Sequence, residues 1–308
     1  MSTAAERYLQ AARRESTTRR YQQALAHFEV SWGGFLPASS DSIVRYLAEN
    51  AGLSISTLRG HLAALARWHQ NHGFADPTKA PQVRDVLRGI QALHPRQVKQ
   101  AEPLQLQELE QCVTALQREE ASPDLPLRLR AGRDRALLLL GFWRGFRSDD
   151  LCRLRIETNQ LLPGEGLSLF LSSSKTDREH QGRTVSVPAL KRLCPVQAYE
   201  DWLALSQLQA GPVFCSIDRW GHLAPTALHP YSVSRVLRRA LTRGGVLGER
   251  YSGHSLRRGF ATWATRNHWS PKDLMEYIGW RDVHSAMRYV DANEPFGDWR
   301  RDVASESK

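Results

Sequence analysis

The first hundred residues place apolar side chains at helical spacing in two segments. One segment follows Ser16-Thr17-Thr18 and the other follows Ser56, and small polar residues of this kind cap helices. The apolar positions are Tyr21, Leu25, Phe28 and Trp32 in the first segment, and Leu58, Leu62, Leu65 and Trp68 in the second, which Gly73 ends. A further helix is predicted over 42–50. This part of the chain is therefore predicted to form a compact helical bundle.

The periodic pattern is lost between Gln91 and Pro103, where Pro95 and Pro103 punctuate a polar stretch. This stretch predicts an interdomain linker. We therefore expect a helical domain over 1–98, a linker over 99–104, a second domain over 105–290 and a tail over 291–308.

The second domain combines helices with a short β segment. Helices are predicted over 104–116, 127–143, 195–207 and 231–243, the last closed by Gly244-Gly245. Apolar residues predict strands over 167–172 and 184–188, on either side of the polar segment 173–183. The predicted fold class is therefore mostly α, with a small antiparallel β-sheet and two domains.

The chain is distinctly basic, with 42 Lys plus Arg against 32 Asp plus Glu and a formal charge of +10. The excess is concentrated at the front, because residues 1–100 carry 13 basic and 7 acidic side chains. Nucleic acid is the default polyanionic partner of such a chain, although many basic proteins bind no DNA specifically. The longest apolar run, from Ala136 to Trp143, is too short to cross a bilayer, and no secretory signal opens the chain. These features predict a cytoplasmic protein without a membrane partner.

Metal and nucleotide motifs are missing from the sequence. The four cysteines (Cys112, Cys152, Cys194 and Cys215) form no CxxC pair, which argues against a zinc ribbon or a disulfide framework. There is no GxxxxGK[ST], GxGxxG or HExxH motif, and no acidic cluster typical of a two-metal nuclease. We expect no cofactor and no metal, so any DNA chemistry must proceed without a metal ion.

The carboxy-terminal part carries a different set of residues, in short motifs. Gly145-Phe146-Arg147-Ser148-Asp149-Asp150-Leu151 follows an apolar helix, and Lys175 lies in the turn between the two predicted strands. His254-Ser255-Leu256-Arg257 opens a helix, and Ile278-Gly279-Trp280 precedes Arg288-Tyr289 by a short stretch. Each motif alone is weak, so the information lies in their order.

This ordered set resembles the tyrosine recombinase (phage integrase) family. The family motif reads Arg, Lys, His-x-x-Arg, His or Trp, and Tyr, and the chain supplies Arg147, Lys175, His254, Arg257, Trp280 and Tyr289. Asp150 is the acidic residue three positions after the first arginine. The flanks Tyr251-Ser252-Gly253 and Gly279-Trp280 resemble the Cre-like branch. Most relatives have His where this chain has Trp280, and an indole cannot act as an acid or base.

The resemblance implies a role for each residue, and elementary chemistry agrees. Arg147 and Arg257 would meet the phosphate oxygens as charge builds on them, because guanidinium forks bind bidentately. Tyr289 would be the nucleophile, since a phenol with a pKa of about 10 ionises more readily than Ser or Thr. Lys175 would protonate the departing 5′ oxygen. His254 would accept a proton or donate to the phosphate.

The resemblance also implies an assembly. A C-shaped clamp of a helical, SAM-like core-binding domain and a catalytic domain would act as a homotetramer on two DNA sites, each with inverted arms. Strands would exchange through a 3′-phosphotyrosine and a four-way junction, for integration, excision or resolution of a mobile element, with or without an accessory DNA-binding protein. Arg19, Arg20 and Arg59 would face DNA, or form a solvated polar face. The tail, with Pro295, Phe296 and Trp299, would dock on a neighbouring subunit or pack on its own domain.

Other functions fit part of the same pattern. A type IB topoisomerase would share the Arg, Lys, Arg and Tyr chemistry but relax supercoils as a monomer on arbitrary DNA. A catalytically idle DNA-binding regulator would keep the fold and the basic surface but tolerate loss of Tyr289. The intact set argues against the regulator. Taken singly, Arg147 also suits a helix end paired with Asp150, and Trp280 and Tyr289 also suit a hydrophobic core.

Overall fold

A computed structural model of the chain describes residues 7–8, 15–95, 100–162, 165–172 and 181–293. The chain divides into two compact units, Met1–Lys99 and Gln100–Lys308. Both described units are mainly helical, as the apolar periodicity predicts. Within the described residues, no helix is long and apolar enough to span a bilayer.

Between residues 15 and 95, the first unit forms a bundle of the helices α1 (Glu15–Ala26), α2 (Ser40–Glu49), α3 (Ile55–Asn71) and α4 (Pro81–Leu93). A π-helical turn, His27–Ser31, continues α1. The side chains of Ser39 and Ser54 accept hydrogen bonds from backbone N–H groups of the first turns of α2 and α3 and so begin those helices. The buried core consists of Phe28, Ile43, Tyr46, Leu47, Leu58, Leu65, Val83 and Ile90.

Helix α4 was absent from the sequence-based expectation. The apolar periodicity is lost at Gln91, whereas α4 continues to Leu93. Pro81 occupies the first helical turn, where its missing N–H costs nothing. The helix then buries Val83 and Ile90, whose seven-residue separation brings them to one face.

The second unit is built around a buried helix. It contains α5 (Leu106–Glu120), α6 (Leu125–Trp143), α7 (Ser148–Cys152), α8 (Pro195–Ser206), α9 (Pro230–Arg243), α10 (Gly253–Arg266), α11 (Pro271–Ile278) and α12 (Val283–Asn293). Helix α6 packs against α5, α8 and α10, so it is buried almost all round from Leu129 to Phe142. This burial explains the continuous apolar run from Ala136 to Phe142.

The described residues of the second unit include two small antiparallel sheets. The first has the order β1 (Gln160–Leu162), β2 (Gly166–Leu171) and β3 (Arg183–Pro188), with Leu169 paired to Val185. This confirms the two predicted strands to within a residue. The second sheet, β4 (Cys215–Ile217) with β5 (Leu223–Ala227), corrects the expectation of one sheet. Its strands are short and interrupted by a bulge, so they carry no alternation that sequence could reveal.

Candidate active site

Arg147 and Asp150 lie at the turn that follows α6. Gly145 adopts a φ of +59° there, which lets the chain reverse between α6 and α7. Arg147 then caps α7, and its backbone N–H donates to Asp150 Oδ2 at 3.2 Å. Arg147 Nη1 is 3.9 Å from the same carboxylate oxygen. The local helix start therefore orients the Arg147 guanidinium.

Asp150 is buried, with 1% of its side chain exposed. Burial raises the pKa of its carboxyl group, while Arg147, Arg257 and Arg183 act in the opposite direction. Three guanidinium groups thus bear on the one negative charge of Asp150. The surplus of positive charge suits an anionic ligand.

Arg257 lies one turn into α10 and is 6% exposed. Its Nη1 donates to the Gly145 carbonyl oxygen at 2.6 Å, which ties α10 to the turn after α6. Burial, and next the charge of Arg147, lower the pKa of Arg257 to about 9. The group therefore remains charged at neutral pH.

Arg183, which is not part of the sequence motif, joins this cluster. It is the first residue of β3, and its Nη2 donates to the Ile278 carbonyl oxygen at 3.3 Å. Burial lowers the pKa of its guanidinium. The charge of Asp150 opposes this shift, and the charge of Arg147 adds to it. The sequence offered one signal, a basic residue at the end of the polar segment 173–183, directly before a predicted strand.

Each of the three arginines keeps a buried donor atom without a hydrogen-bond acceptor in the described part of the protein. These atoms are Arg147 Nη1, Arg183 Nε and Arg257 Nη2. A buried donor left unsatisfied costs about 1–3 kcal/mol. Non-bridging phosphate oxygens would satisfy such donors, and the cluster thereby suits a phosphodiester.

Trp280 and Tyr289 form the opposite side of the cluster. Gly279 ends α11 with a φ of +78°, and the backbone N–H of Trp280 then donates to the Met275 carbonyl oxygen at 2.9 Å. The Trp280 ring stacks on the Tyr289 ring with centroids 5.3 Å apart and an interplanar angle of 10°. The Arg257 guanidinium carbon lies 5.1 Å from the centroid of the Trp280 ring. Trp280 therefore contacts both an arginine of the cluster and the candidate nucleophile.

Tyr289 lies on α12 and is half-buried. Burial raises the pKa of its phenol, while Arg258, Arg257 and Arg288 lower it. The Arg258 guanidinium carbon is 5.9 Å from the Tyr289 ring centroid, and Arg258 also donates to Gln100. In the DNA-free protein, the phenol is therefore protonated at neutral pH.

His254 and Lys175 complete the predicted catalytic set. His254 is exposed at the start of α10, where its N–H donates to Ser252 Oγ at 3.3 Å. Lys175, like Pro295, Phe296 and Trp299, lies outside the described residues.

The three candidate DNA-facing arginines belong to the first unit. All three are exposed; Arg19 pairs with Glu15 at 3.2 Å, and Arg59 donates to Gln91 at 3.4 Å. Arg20, on α1, lies beside Gly60 of α3. Across the described ranges, no group of three or more His, Cys, Asp or Glu side chains is placed to hold a metal.

Residues 104–295 match the model of the phage integrase family. The chain belongs to this family, whose members are tyrosine recombinases. The match spans the described part of the second unit, from the segment before α5 through α12. The cluster around Asp150 is therefore the candidate active site of a phage integrase family protein.

Two relatives extend the similarity over most of the chain. It is 26% identical to an integrase/recombinase XerD homologue of Selenomonas ruminantium, over 97% of this chain and 88% of the relative. It is 23% identical to recombinase Cre of Escherichia phage P1, over 83% of this chain and 77% of Cre.

Solved structures of other recombinases share the fold. The XerH recombinase in a post-cleavage complex with a palindromic difH substrate has a TM-score of 0.61 at 18% identity, over 94% of this chain and 79% of XerH. The Tn1549 transposon integrase bound to transposon right-end DNA has a TM-score of 0.62 at 14% identity, over 93% and 92% of the two chains. This phage integrase family chain therefore has the fold of enzymes captured on DNA.

Proposed function

We propose that this protein is a site-specific DNA recombinase that cleaves and rejoins strands through a 3′-phosphotyrosine. The observation that carries the proposal is the group of three arginines with unsatisfied buried donors, beside a tyrosine that stacks on Trp280. A cluster of positively charged side chains next to a phenol suits in-line attack on a phosphodiester. Family membership and the fold shared with DNA-bound recombinases support the same conclusion.

The first half of the reaction begins with Tyr289. Its Oη attacks the phosphorus while the bond from phosphorus to the 5′ oxygen breaks, which leaves a 3′-phosphotyrosine and a 5′-hydroxyl. Arg147 and Arg257 would hold the non-bridging oxygens, where negative charge accumulates. Lys175 would give its proton to the 5′ oxygen, and His254 would accept the phenol proton or donate to the phosphate.

The second half reverses the first with a different strand. A 5′-hydroxyl from the partner DNA attacks the phosphotyrosine, and the Tyr289 phenol leaves. One phosphodiester is broken and one is made in each cycle, so the reaction needs neither ATP nor a hydrolytic metal ion. Trp280 supplies packing and an indole N–H, and no proton transfer passes through it.

The proposed assembly follows the chemistry of exchange. Four subunits would hold two DNA sites, one subunit on each inverted arm, and exchange strands through a four-way junction. Such a protein works on DNA in the cytoplasm, with or without an accessory DNA-binding protein. Arg19, Arg20 and Arg59 are proposed to contact DNA phosphates, which would make binding steeply salt-dependent.

Covalent capture in the source cell tests the function and finds the site together. Cells carrying the wild-type protein or Tyr289→Phe are denatured rapidly, and the DNA linked to protein is isolated and sequenced. We expect a few loci with inverted arms, recovered from wild type alone. Scattered DNA would favour a topoisomerase-like activity, and equal recovery from both strains would remove Tyr289 as the nucleophile.

A further inference from the structure

Arg183 connects two segments that are distant in sequence. It is the first residue of β3, and its Nη2 donates to the Ile278 carbonyl oxygen at the carboxyl end of α11. Carbonyl groups in the last turn of a helix lack partners within the helix, and a cation there also complements the helix dipole. The bond therefore fastens the β2–β3 hairpin to the end of α11.

The turn after α11 is shaped around this guanidinium. Gly279 has a φ of +78°, and a Cβ built on it would overlap Arg183 Nη1. The missing side chain at Gly279 thus leaves the space that Arg183 fills. Trp280 directly follows Gly279, so the position of the Arg183 guanidinium affects the position from which the Trp280 side chain extends.

Arg183 also interacts electrostatically with two charged residues of the candidate active site. The charge of Asp150 favours the Arg183 cation, whereas Arg147 opposes it. Burial next to another arginine is unfavourable, since it lowers the pKa of Arg183. The hydrogen bond to the Ile278 carbonyl holds the guanidinium in this position, and the charge of Asp150 favours it there.

We propose that Arg183 is a positioning residue of the strand-exchange reaction and acts through Trp280. Arg183 holds the Ile278–Trp280 turn against β3. This turn then holds the indole between the Arg257 guanidinium and the Tyr289 ring. The proposal rests on the proposed function, because Tyr289 must be the nucleophile for Trp280 to matter. It goes beyond the family motif, which has no member at this position of the chain.

Fluorine NMR of the DNA-free protein tests the placement directly. The chain contains nine Trp, so labelling with 5-fluorotryptophan gives nine resonances, and the one missing from Trp280→Phe belongs to Trp280. We expect Arg183→Ala to shift or broaden the Trp280 resonance. Arg192→Ala is the matched control, since Arg192 follows β3 and is 78% exposed. An unmoved Trp280 resonance in a folded Arg183→Ala protein would overturn the proposal.

A double-mutant cycle tests the consequence for chemistry. The rate of covalent-complex formation is measured at saturating enzyme, on a DNA site recovered by covalent capture. We expect Arg183→Ala to slow this step about tenfold or more, while DNA affinity changes by less than about threefold. In a Trp280→Ala background the same substitution should cost less than about twofold, because its target is gone. Equal losses in both backgrounds would show that Arg183 does not act through Trp280.

Arg183→Lys keeps the measurements informative if Arg183→Ala does not fold. A lysine ammonium can reach one acceptor but cannot span Ile278 and the space over Gly279, so the Trp280 resonance should still move. The two hypotheses fail in different ways. If wild type forms no covalent DNA, the proposed function fails while the NMR result stands. If wild type reacts and the Trp280 resonance does not respond to either Arg183 variant, the positioning role fails alone.

Discussion

The Trp280 ring lies nearly parallel to the Tyr289 ring, with their centroids 5.3 Å apart, and the Arg257 guanidinium carbon lies 5.1 Å from the centroid of the Trp280 ring. An indole in this place cannot exchange a proton, so its contribution is packing and hydrogen bonding. The contacts are those of a spacer that fixes the phenol relative to an arginine of the cluster. The departure from histidine is therefore compatible with activity.

Replacing Trp280 by alanine should slow covalent attachment to DNA by about tenfold. The aromatic pair and the cation–π contact are each worth about 0.5–1.5 kcal/mol, and tenfold corresponds to about 1.4 kcal/mol. Trp280→Phe keeps a ring and should stay within about threefold of wild type. The measurement is single-turnover formation of the covalent complex at saturating enzyme. Equal rates for Trp280→Ala and wild type would contradict the spacer role.

Arg147→Lys should lose most of the cleavage activity, about a hundredfold, although the charge is unchanged. A point ammonium cannot reproduce the guanidinium fork on two phosphate oxygens. DNA affinity, measured by equilibrium binding, should change by less than about threefold. Arg153→Lys is the control, because Arg153 is half exposed and pairs with Asp149 at 3.0 Å on the same helix. Near-normal cleavage by Arg147→Lys would remove the bidentate role.

The apolar periodicity revealed most of the fold, because buried helix faces repeat every three to four residues. It missed α4, although Val83, Val86, Leu87 and Ile90 lie at helical spacing, and the β4–β5 pair, whose strands are too short to alternate. The order of the short motifs predicted the site residues Arg147, Asp150, Arg257, Trp280 and Tyr289. It could not find Arg183, because its contact with Ile278 joins residues 95 positions apart and is formed only by the tertiary fold.

Inorganic phosphate or sulfate should stabilise the DNA-free protein. An anion that binds the folded state alone contributes RT ln(1 + [L]/Kd), which is about 1.4 kcal/mol at ten times the Kd, and raises the Tm by a few degrees in a domain of this size. The unsatisfied donors of Arg147 and Arg257, which are proposed to hold the phosphate oxygens, are the expected site.

The test is thermal denaturation with and without the anion, in wild type and Arg257→Met. The rise in Tm should largely disappear in Arg257→Met and persist in Arg192→Ala. An equal rise in all three proteins would indicate general salt stabilisation and would contradict a phosphate site at the cluster.

Arg258→Met should raise the pKa of Tyr289. Burial already raises the pKa of this phenol above its ordinary value, and the charge of Arg258, over its ring, opposes that shift. Removing the cation leaves burial less opposed, so less phenolate is present at any given pH. The rate of covalent attachment should therefore begin to rise at higher pH than in wild type.

The phenol can be followed without DNA by NMR of protein labelled at the tyrosine Cζ, with Tyr289→Phe to assign the signal. Arg266→Met is the control, because Arg266 lies on the same helix and donates to Gln105 at 2.8 Å. A titration of Tyr289 that is the same in wild type and Arg258→Met would contradict the electrostatic effect of Arg258.

Lys175→Ala should block cleavage of ordinary DNA and be rescued by a substrate with sulfur as the 5′ bridging atom. A 5′ alkoxide must be protonated as it leaves, whereas a thiolate leaves without a proton, so the sulfur substrate dispenses with the general acid. Tyr289→Phe is the control, since it lacks the nucleophile and should remain inactive on both substrates. Covalent-complex formation on the two substrates is the measurement. Failure of the sulfur substrate to restore cleavage by Lys175→Ala would show that Lys175 contributes something other than the leaving-group proton.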